Sequence, residues 1–164
     1  MIEEYKKLLD QARTKLNENK KFFQQLRKDK PKDLDQITNR YNDEVFEKID
    51  CLQCANCCRG TGPLLLQKDI DRLAKACSQK PGSFVDAYLR IDEDNDYVFK
   101  KMPCPFLQGD NYCSVYESRP NACREFPHTQ QRDIYQKLAI TQKNTLVCPA
   151  VYLITENLKT HYKK

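Results

Sequence analysis

The sequence predicts a helix-dominated α+β fold in which an N-terminal helical hairpin precedes a small cysteine-rich domain. Three observations predict it. Apolar residues recur at steps of three and four through residues 1–49, which is the spacing of a helix face. Short apolar runs bounded by turn residues follow and predict strands. All nine cysteines lie after residue 50, so we expect that part of the chain to be stabilised by more than its apolar core.

The predicted hairpin spans residues 1–49, and residues 50–164 form the predicted cysteine-rich domain. The apolar positions of the first helix are Ile2, Tyr5, Leu8, Leu9, Ala12, Leu16, Phe23 and Leu26. Pro31 ends this helix, and a second run follows at Leu34, Ile37, Tyr41, Val45 and Ile49. Basic and acidic residues are interleaved along both helices, which indicates a solvated surface and disfavours a nucleic-acid-binding arm. A coiled-coil surface for a protein partner is the alternative interpretation.

Short helices and strands are predicted after the first cysteines. In order, they are a strand at residues 64–66, a helix with Asp69 in its first turn, a short helix capped by Ser83, a strand at residues 97–99 and a terminal helix with Pro149 in its first turn. The first of these helices aligns Ile70, Leu73, Ala74 and Cys77 on one face, which places Cys77 in the core. The second is expected to carry apolar residues as far as Ile91, and an acidic turn follows.

The start of the chain predicts a cytoplasmic protein. Residues 1–9 lack the basic start and the apolar centre of a signal peptide, and no run approaches the roughly 18 apolar residues of a membrane span. In a reducing compartment, clustered cysteines are usually metal ligands or redox groups and seldom structural disulfides. We therefore expect a metal ion as partner and no membrane.

The formal net charge of +5 is a weak indication of nucleic-acid binding. It counts every cysteine as neutral, whereas a cysteine that binds metal has lost its proton. Eight thiolates on two divalent ions would contribute 4 − 8 = −4 and leave a net charge of about +1. A nucleic-acid partner is therefore not predicted.

The first cysteines have the spacing of a metal site. Cys51, Cys54 and Cys57 follow a Cys-x2-Cys-x2-Cys pattern, which is that of the first three ligands in bacterial ferredoxins. Cys104-Pro105 and Cys148-Pro149 resemble the remote Cys-Pro ligand of those proteins. One interpretation is therefore iron in a 4Fe-4S cluster. Zinc held by four thiolates is the other, although a single zinc ribbon would need a second closely spaced pair, which the sequence lacks.

The adjacent pair Cys57 and Cys58 indicates more than one simple site, because adjacent side chains tend to point in different directions. We therefore expect a second site or a polynuclear one. With Cys77 set aside as a structural thiol, the candidate ligands are Cys51, Cys54, Cys57, Cys58, Cys104, Cys113, Cys123 and Cys148. They divide into two sets of four, or into one four-ligand centre with a separate pair of thiols.

Three arginines lie within a few residues of these candidate ligands: Arg59, Arg119 and Arg124. A guanidinium there can offset negative charge on a thiolate centre and donate hydrogen bonds to sulfur. The alternative is that Arg119 and Arg124 pair with Glu117 or Glu125 and fix the loop.

Several motifs carry a resemblance to a known family. They are Cys51-Leu52-Gln53-Cys54-Ala55-Asn56-Cys57-Cys58-Arg59, Cys104-Pro105-Phe106-Leu107, Cys113-Ser114-Val115-Tyr116-Glu117-Ser118-Arg119-Pro120, Cys123-Arg124-Glu125-Phe126-Pro127 and Cys148-Pro149. In this order they resemble the YkgJ-type CxxCxxCC cysteine-cluster family, described as a zinc- or iron-chelating domain. The chain departs from that family at Ala55-Asn56, where a Gly usually precedes the paired cysteines. Flagellin lysine methylases, which are associated with an iron–sulfur centre, carry a similar cluster.

The sequence therefore leaves three classes of function to compare. The first is a non-catalytic protein that chelates zinc or iron, and the second is an iron–sulfur protein of redox or methyl-group transfer, acting alone or as a subunit. The third, a zinc-stabilised nucleic-acid binder, is disfavoured by the mixed charges and by the missing second pair of cysteines. No hydrolase motif or phosphate-binding loop is present in the sequence, and no specific reaction is predicted.

Overall fold

A computed structural model describes residues 1–163 of the chain. It confirms the predicted helix-dominated α+β class, since most of the regular elements are helices and the strands form one small antiparallel sheet of three. The chain forms two compact units. Unit 1 comprises Met1–Cys54 together with the chain from Pro127 onward, and unit 2 comprises Ala55–Phe126.

The helices and strands are numbered along the chain. The helices are α1 Glu3–Thr14, α2 Leu16–Asp29, α3 Leu34–Phe46, α4 Cys51–Cys54, α5 Asn56–Gly60, α6 Gln67–Ala76, α7 Pro81–Tyr88, α8 Asn121–Glu125, α9 Ile134–Asn144 and α10 Pro149–His161. The strands are β1 Leu64–Leu65, β2 Leu89–Ile91 and β3 Tyr97–Phe99, with β3 in the middle of the sheet. Tyr116–Ser118 forms a single 3-10 turn.

Unit 1 is a bundle of helices that buries most of the apolar positions predicted from the sequence, whereas Ile2 and Leu16 are exposed. The predicted first helix is observed as α1 and α2, which are interrupted only at Lys15, and α3 covers most of the second. Helix α10 packs against α1 and α3 and buries Ala150, Val151 and Ile154 completely. A further apolar cluster joins α2, α3 and α9 through Phe23, Leu26, Leu34, Ile134 and Leu138. The N-terminal helices therefore share their core with the end of the chain.

Unit 2 is built on the three-stranded sheet with α6 and α7. Its core comprises Leu65, Ile70, Leu73, Ala74, Phe84, Leu89, Phe99 and Phe106. The rings of Phe84 and Phe106 stack with centroids 6.1 Å apart and planes 3° from parallel. The predicted strands at residues 64–66 and 97–99 are confirmed as β1 and β3, which pair at Leu64 and Val98.

Two local predictions in unit 2 are wrong. Helix α7 begins at Pro81 and not after Ser83, because a proline at the first helical position has its φ angle already set for a helix. Ile91 lies in strand β2, exposed and paired with Tyr97. The acidic turn then closes a β-hairpin, in which a carboxylate oxygen of Asp92 accepts hydrogen bonds from the backbone N–H groups of Asp94 and Asp96.

The rest of unit 2, residues 100–126, has little regular structure. It contains the 3-10 turn and the five-residue helix α8, and a single bridge pairs Leu107 with Cys113. Residues 108–111 form a tight turn, in which the N–H of Gln108 donates to the carbonyl of Tyr112 at 2.8 Å. Three cysteines lie in this segment.

Within the part of the chain that the structure describes, no helix has the length and apolar character needed to cross a membrane.

Candidate metal centre

The CxxCxxCC motif is divided between two short helices. Cys51 and Cys54 are the first and last residues of α4, and Cys57 and Cys58 lie on α5. Between the helices, Ala55 has the left-handed backbone conformation, with φ 50°. Glycine adopts this conformation without steric cost, which gives a physical reason for the glycine usual in the family that the motif resembles.

The paired cysteines of α5 point to the same side. Their Sγ atoms are 3.9 Å apart, so the expectation that the two side chains diverge is wrong. A zinc ion with four sulfurs at about 2.3 Å has S–S edges of about 3.8 Å. The distance therefore suits two ligands of one tetrahedral ion.

Five cysteines of unit 2 lie near one another and are called here the unit 2 thiol set: Cys57, Cys58, Cys104, Cys113 and Cys123. The backbone N–H of Cys104 donates to the carbonyl of Cys58 at 2.8 Å, which ties the two segments together. Burial, together with negative charge on Cys58, Cys104 and Cys113, raises the pKa of Cys123 to about 12. Residues distant in sequence are thus brought within electrostatic reach of the paired cysteines.

Burial favours the neutral form of three thiols of this set, Cys104, Cys113 and Cys123. Burial raises the pKa of Cys104 to about 11 and also raises that of Cys113. Cys58 is the exception, because its hydrogen bond with Cys57 lowers its pKa to about 7 against the effect of burial, with help from Arg59. Since metal binds the thiolate form, binding must release protons and should strengthen as the pH rises.

The other three candidate ligands lie in unit 1 and are called the unit 1 thiol set: Cys51, Cys54 and Cys148. Cys148 is the N-cap of α10, and the backbone N–H groups of Ala150 and Val151 in the first turn of that helix act to lower its pKa. Burial, together with negative charge on Cys51 and Cys54, raises the pKa of Cys148 to about 12. Cys54 and Cys148 are buried, whereas Cys51 is exposed.

Cys77 packs against the apolar core of unit 2, as expected for a structural thiol. Over residues 1–163, no three His, Cys, Asp or Glu side chains form a ready-made ion site. The two thiol sets are therefore collections of neighbouring sulfurs that side-chain rotation would have to bring to ligand distance.

The three arginines differ in what they contact. The Arg59 guanidinium donates to the side-chain oxygen of Asn111. Arg119 lies 3.7 Å from the ring centroid of Tyr116, and its charge opposes the burial that raises the pKa of Cys113. Arg124 donates to the backbone carbonyls of Arg119 at 3.1 Å and Glu117 at 2.6 Å. Arg59 and Arg119 thus act electrostatically on cysteines of unit 2, and Arg124 fixes the loop.

One structural pair near the site was not identified from the sequence. Asp69 on α6 is 1% exposed, and its Oδ1 accepts hydrogen bonds from Arg72 at 2.5 Å and from the N–H of Asn121 at 3.0 Å. Arg72 also donates to the carbonyls of Ser118 at 3.2 Å and Arg119 at 2.9 Å. This Asp69–Arg72 clamp fixes residues 118–121, directly before Cys123. Its only signal in the sequence is an acid and a base three residues apart on a helix.

Comparison with known proteins identifies the family of the chain. Residues 50–149, more than half of the chain, match the family model CxxCxxCC, described as "Putative zinc- or iron-chelating domain". No curated protein and no solved structure matches the chain, so the similarity to flagellin lysine methylases stays a prediction. The matched region contains all eight candidate ligands, and the chain belongs to the CxxCxxCC family.

Proposed function

We propose that this protein chelates zinc or iron through eight cysteines, Cys51, Cys54, Cys57, Cys58, Cys104, Cys113, Cys123 and Cys148. The observation that carries the proposal is the unit 2 thiol set, in which three cysteines from an irregular segment lie around Cys58. Sulfur from cysteine is the donor that zinc sites and iron–sulfur centres have in common. If these buried thiols only packed in the core, they would not need to lie near one another.

Backbone donors aimed at sulfur support the same proposal. The N–H groups of Phe106 and Leu107 act to lower the pKa of Cys104, and that of Val115 acts to lower the pKa of Cys113. Like the N–H groups at the start of α10 beside Cys148, they favour the negatively charged form of each sulfur. Backbone dipoles placed in this way around the ligands stabilise thiolates at metal centres.

The distance between Cys57 and Cys58 favours a single ion over a 4Fe-4S cluster in unit 2. Each cysteine of a cluster binds a different iron, so the cluster itself holds the ligand sulfurs apart. Sulfurs 3.9 Å apart instead fit one tetrahedral ion. Iron–sulfur chemistry in redox or methyl-group transfer is the alternative function, and the experiment below distinguishes it.

Arg59, Arg119 and Arg124 belong to the proposed site as groups around the ligands. A divalent ion with four thiolates carries a net charge of about −2, and a nearby guanidinium offsets it. A cytoplasmic setting fits the proposal because reducing conditions keep thiols available. The N-terminal helices, where Ile2 and Leu16 are exposed, are the proposed surface for a protein partner.

Anaerobic purification followed by metal analysis and a visible spectrum tests the proposal. A mononuclear zinc site gives colourless protein with stoichiometric zinc, whereas brown protein with iron and acid-labile sulfide would establish the iron–sulfur alternative. Cys123→Ser should lose bound metal, because it removes a ligand of the unit 2 thiol set. Cys77→Ser is the matched control and should keep the metal content of the wild type. Equal metal in the wild type and Cys123→Ser, or no metal in either, would refute the proposal.

A further inference from the structure

The eight candidate ligands do not fall into equal groups when they are assigned to the units that contain them. Unit 1 contains three, and the cysteine charges that act on Cys148 come from Cys51 and Cys54. Unit 2 contains five, and the cysteine charges that act on Cys123 come from Cys58, Cys104 and Cys113. Each set therefore has internal neighbours of its own.

Resting on the proposed function, we infer that the chain binds two divalent cations, one at each thiol set, and that the cation at Cys51, Cys54 and Cys148 is the exchangeable one. The family description names the metals but not the number of sites or their division.

The unit 1 thiol set is prepared for a cation by its backbone. Cys51 and Cys54 are three residues apart on α4, so their side chains lie on one face of the turn. Cys148 is the N-cap of the 13-residue helix α10, and the positive end of the helix dipole at this position favours a negatively charged sulfur. Two features of different parts of the sequence thus converge on one cation.

Helix α4 is also held in place. The N–H of Asp50 donates to the hydroxyl of Tyr5 at 2.9 Å, and the carboxylate of Asp50 accepts from the N–H of Leu52 at 2.9 Å. The N–H of Ile2 donates to the carbonyl of Gln53 at 3.0 Å. These bonds fix the backbone of the turn that carries Cys51 and Cys54, so that a cation has only their side chains to reorient.

The exposure of the ligands differs between the sets. Cys51 is exposed to solvent, whereas every member of the unit 2 thiol set is at least partly covered. A cation leaves a thiolate site as competing ligands replace its sulfurs one at a time, and replacement is fastest where solvent reaches the sulfur. The unit 2 thiol set also has more sulfurs and is braced by the Asp69–Arg72 clamp. We therefore expect the unit 1 cation to exchange first.

Zinc titration and release of the full chain test the inference. The protein is loaded with Zn²⁺ alone under anaerobic reducing conditions, its zinc content is measured, and zinc is then released to a chromophoric chelator. The wild type should bind two ions per chain and release them in a fast and a slow phase at least tenfold apart in rate. Cys148→Ser should retain one ion and lose the fast phase, whereas Cys123→Ser should lose the slow phase. Cys77→Ser should keep both.

Other outcomes overturn the inference. One ion per chain in the wild type, or loss of both ions in Cys148→Ser and in Cys123→Ser alike, would show a single shared centre. Loss of the fast phase in Cys123→Ser would show that the exchangeable cation is bound by the unit 2 thiol set and would overturn the inference. Because the buried Cys148 can affect folding, Cys51→Ser at an exposed position is the second variant, and it should lose the fast phase with an unchanged circular dichroism spectrum. A wild type that binds no zinc or iron refutes the proposed function itself. A wild type that binds a single ion refutes only the inference that each thiol set binds its own cation.

Discussion

Unit 1 and unit 2 are stabilised in different ways. The helices of unit 1 bury continuous apolar faces, with Phe23, Val151 and Ile154 fully inaccessible to solvent. Unit 2 has a smaller apolar core on its sheet, and residues 100–126 add only a 3-10 turn and a five-residue helix. Regular helices satisfy their own backbone and need only an apolar partner surface, whereas an irregular segment needs fixed cross-links. In unit 2 these are the Asp69–Arg72 clamp and, as proposed, the thiolates around a metal ion.

Removal of the metal should have the largest effect, and it should affect unit 2 selectively. Structural zinc contributes about 10 kcal/mol or more to the folding of small metal-binding domains. After treatment with a strong chelator, amide hydrogens of residues 100–126 should therefore lose most of their protection from exchange. Those of α3 should keep it, because the apolar faces of unit 1 remain buried. Hydrogen-exchange mass spectrometry of the loaded and chelated protein measures both regions, and equal loss of protection in both would contradict the comparison.

Loss of the Asp69–Arg72 clamp should have the next largest effect. Asp69→Ala leaves Arg72 and the N–H of Asn121 without their shared acceptor, and the loss of a buried hydrogen-bond acceptor costs about 2 kcal/mol. Denaturant unfolding of the metal-loaded protein should show this loss in unit 2, and a competition titration should show weaker zinc binding. The matched control is Asp71→Ala on the same helix, whose exposed carboxylate accepts from Gln67. A change in the control as large as that in Asp69→Ala would contradict a specific role for the clamp.

The smallest predicted effect is the loss of stability on removing the charge of Glu156 in unit 1, and it depends on pH. Burial raises the pKa of Glu156, but hydrogen bonds from Lys15 and Lys159 outweigh it and hold the pKa below its usual value. A lowered pKa in the folded state stabilises the protein above the unfolded-state pKa of about 4.3, and this contribution is lost as the pH falls through the folded-state value. Glu156→Gln should therefore cost less than about 1 kcal/mol at pH 7 and nothing at pH 2.

Chemical unfolding of the metal-free protein, followed through helical circular dichroism at both pH values, measures this difference. Glu44→Gln is the control, because Glu44 forms an exposed pair with Arg40 at 3.7 Å. A cost of Glu156→Gln that stays constant between pH 7 and pH 2 would show that its charge does not stabilise unit 1.

The spacing of apolar residues predicted those helices in which buried residues recur at steps of three and four. The face formed by Ile70, Leu73 and Ala74 is buried as expected, and α10 begins at Pro149. Helix α9 was missed because it buries Ile134 and Leu138 together with polar residues, Thr141 and Asn144, which weaken the apolar pattern. Strand β2 was missed because it has only three residues, two of them exposed.

The candidate site was predictable as a set of residue types but not as an arrangement. Spacing identified the cysteines, because ligand sulfurs close together in sequence are a known property of metal sites. It could not show that Cys57 and Cys58 point to the same side, since that depends on the backbone at Ala55 and on the turns of α5. The role of Asp69 was also hidden, because an acid in the first turn of a helix is explained by the helix dipole alone.

The left-handed conformation of Ala55 has a consequence for how the family motif can vary. It lies at the point where the motif passes from the residues of unit 1 to those of unit 2. A residue branched at Cβ, such as valine or isoleucine, is sterically excluded from this conformation, whereas glycine, asparagine or a tolerated alanine can occupy it. The number of residues between Cys54 and Cys57 sets which helix each sulfur belongs to. We therefore expect natural variants of this protein to keep two residues between Cys54 and Cys57. At the position of Ala55 we expect only glycine, asparagine or alanine.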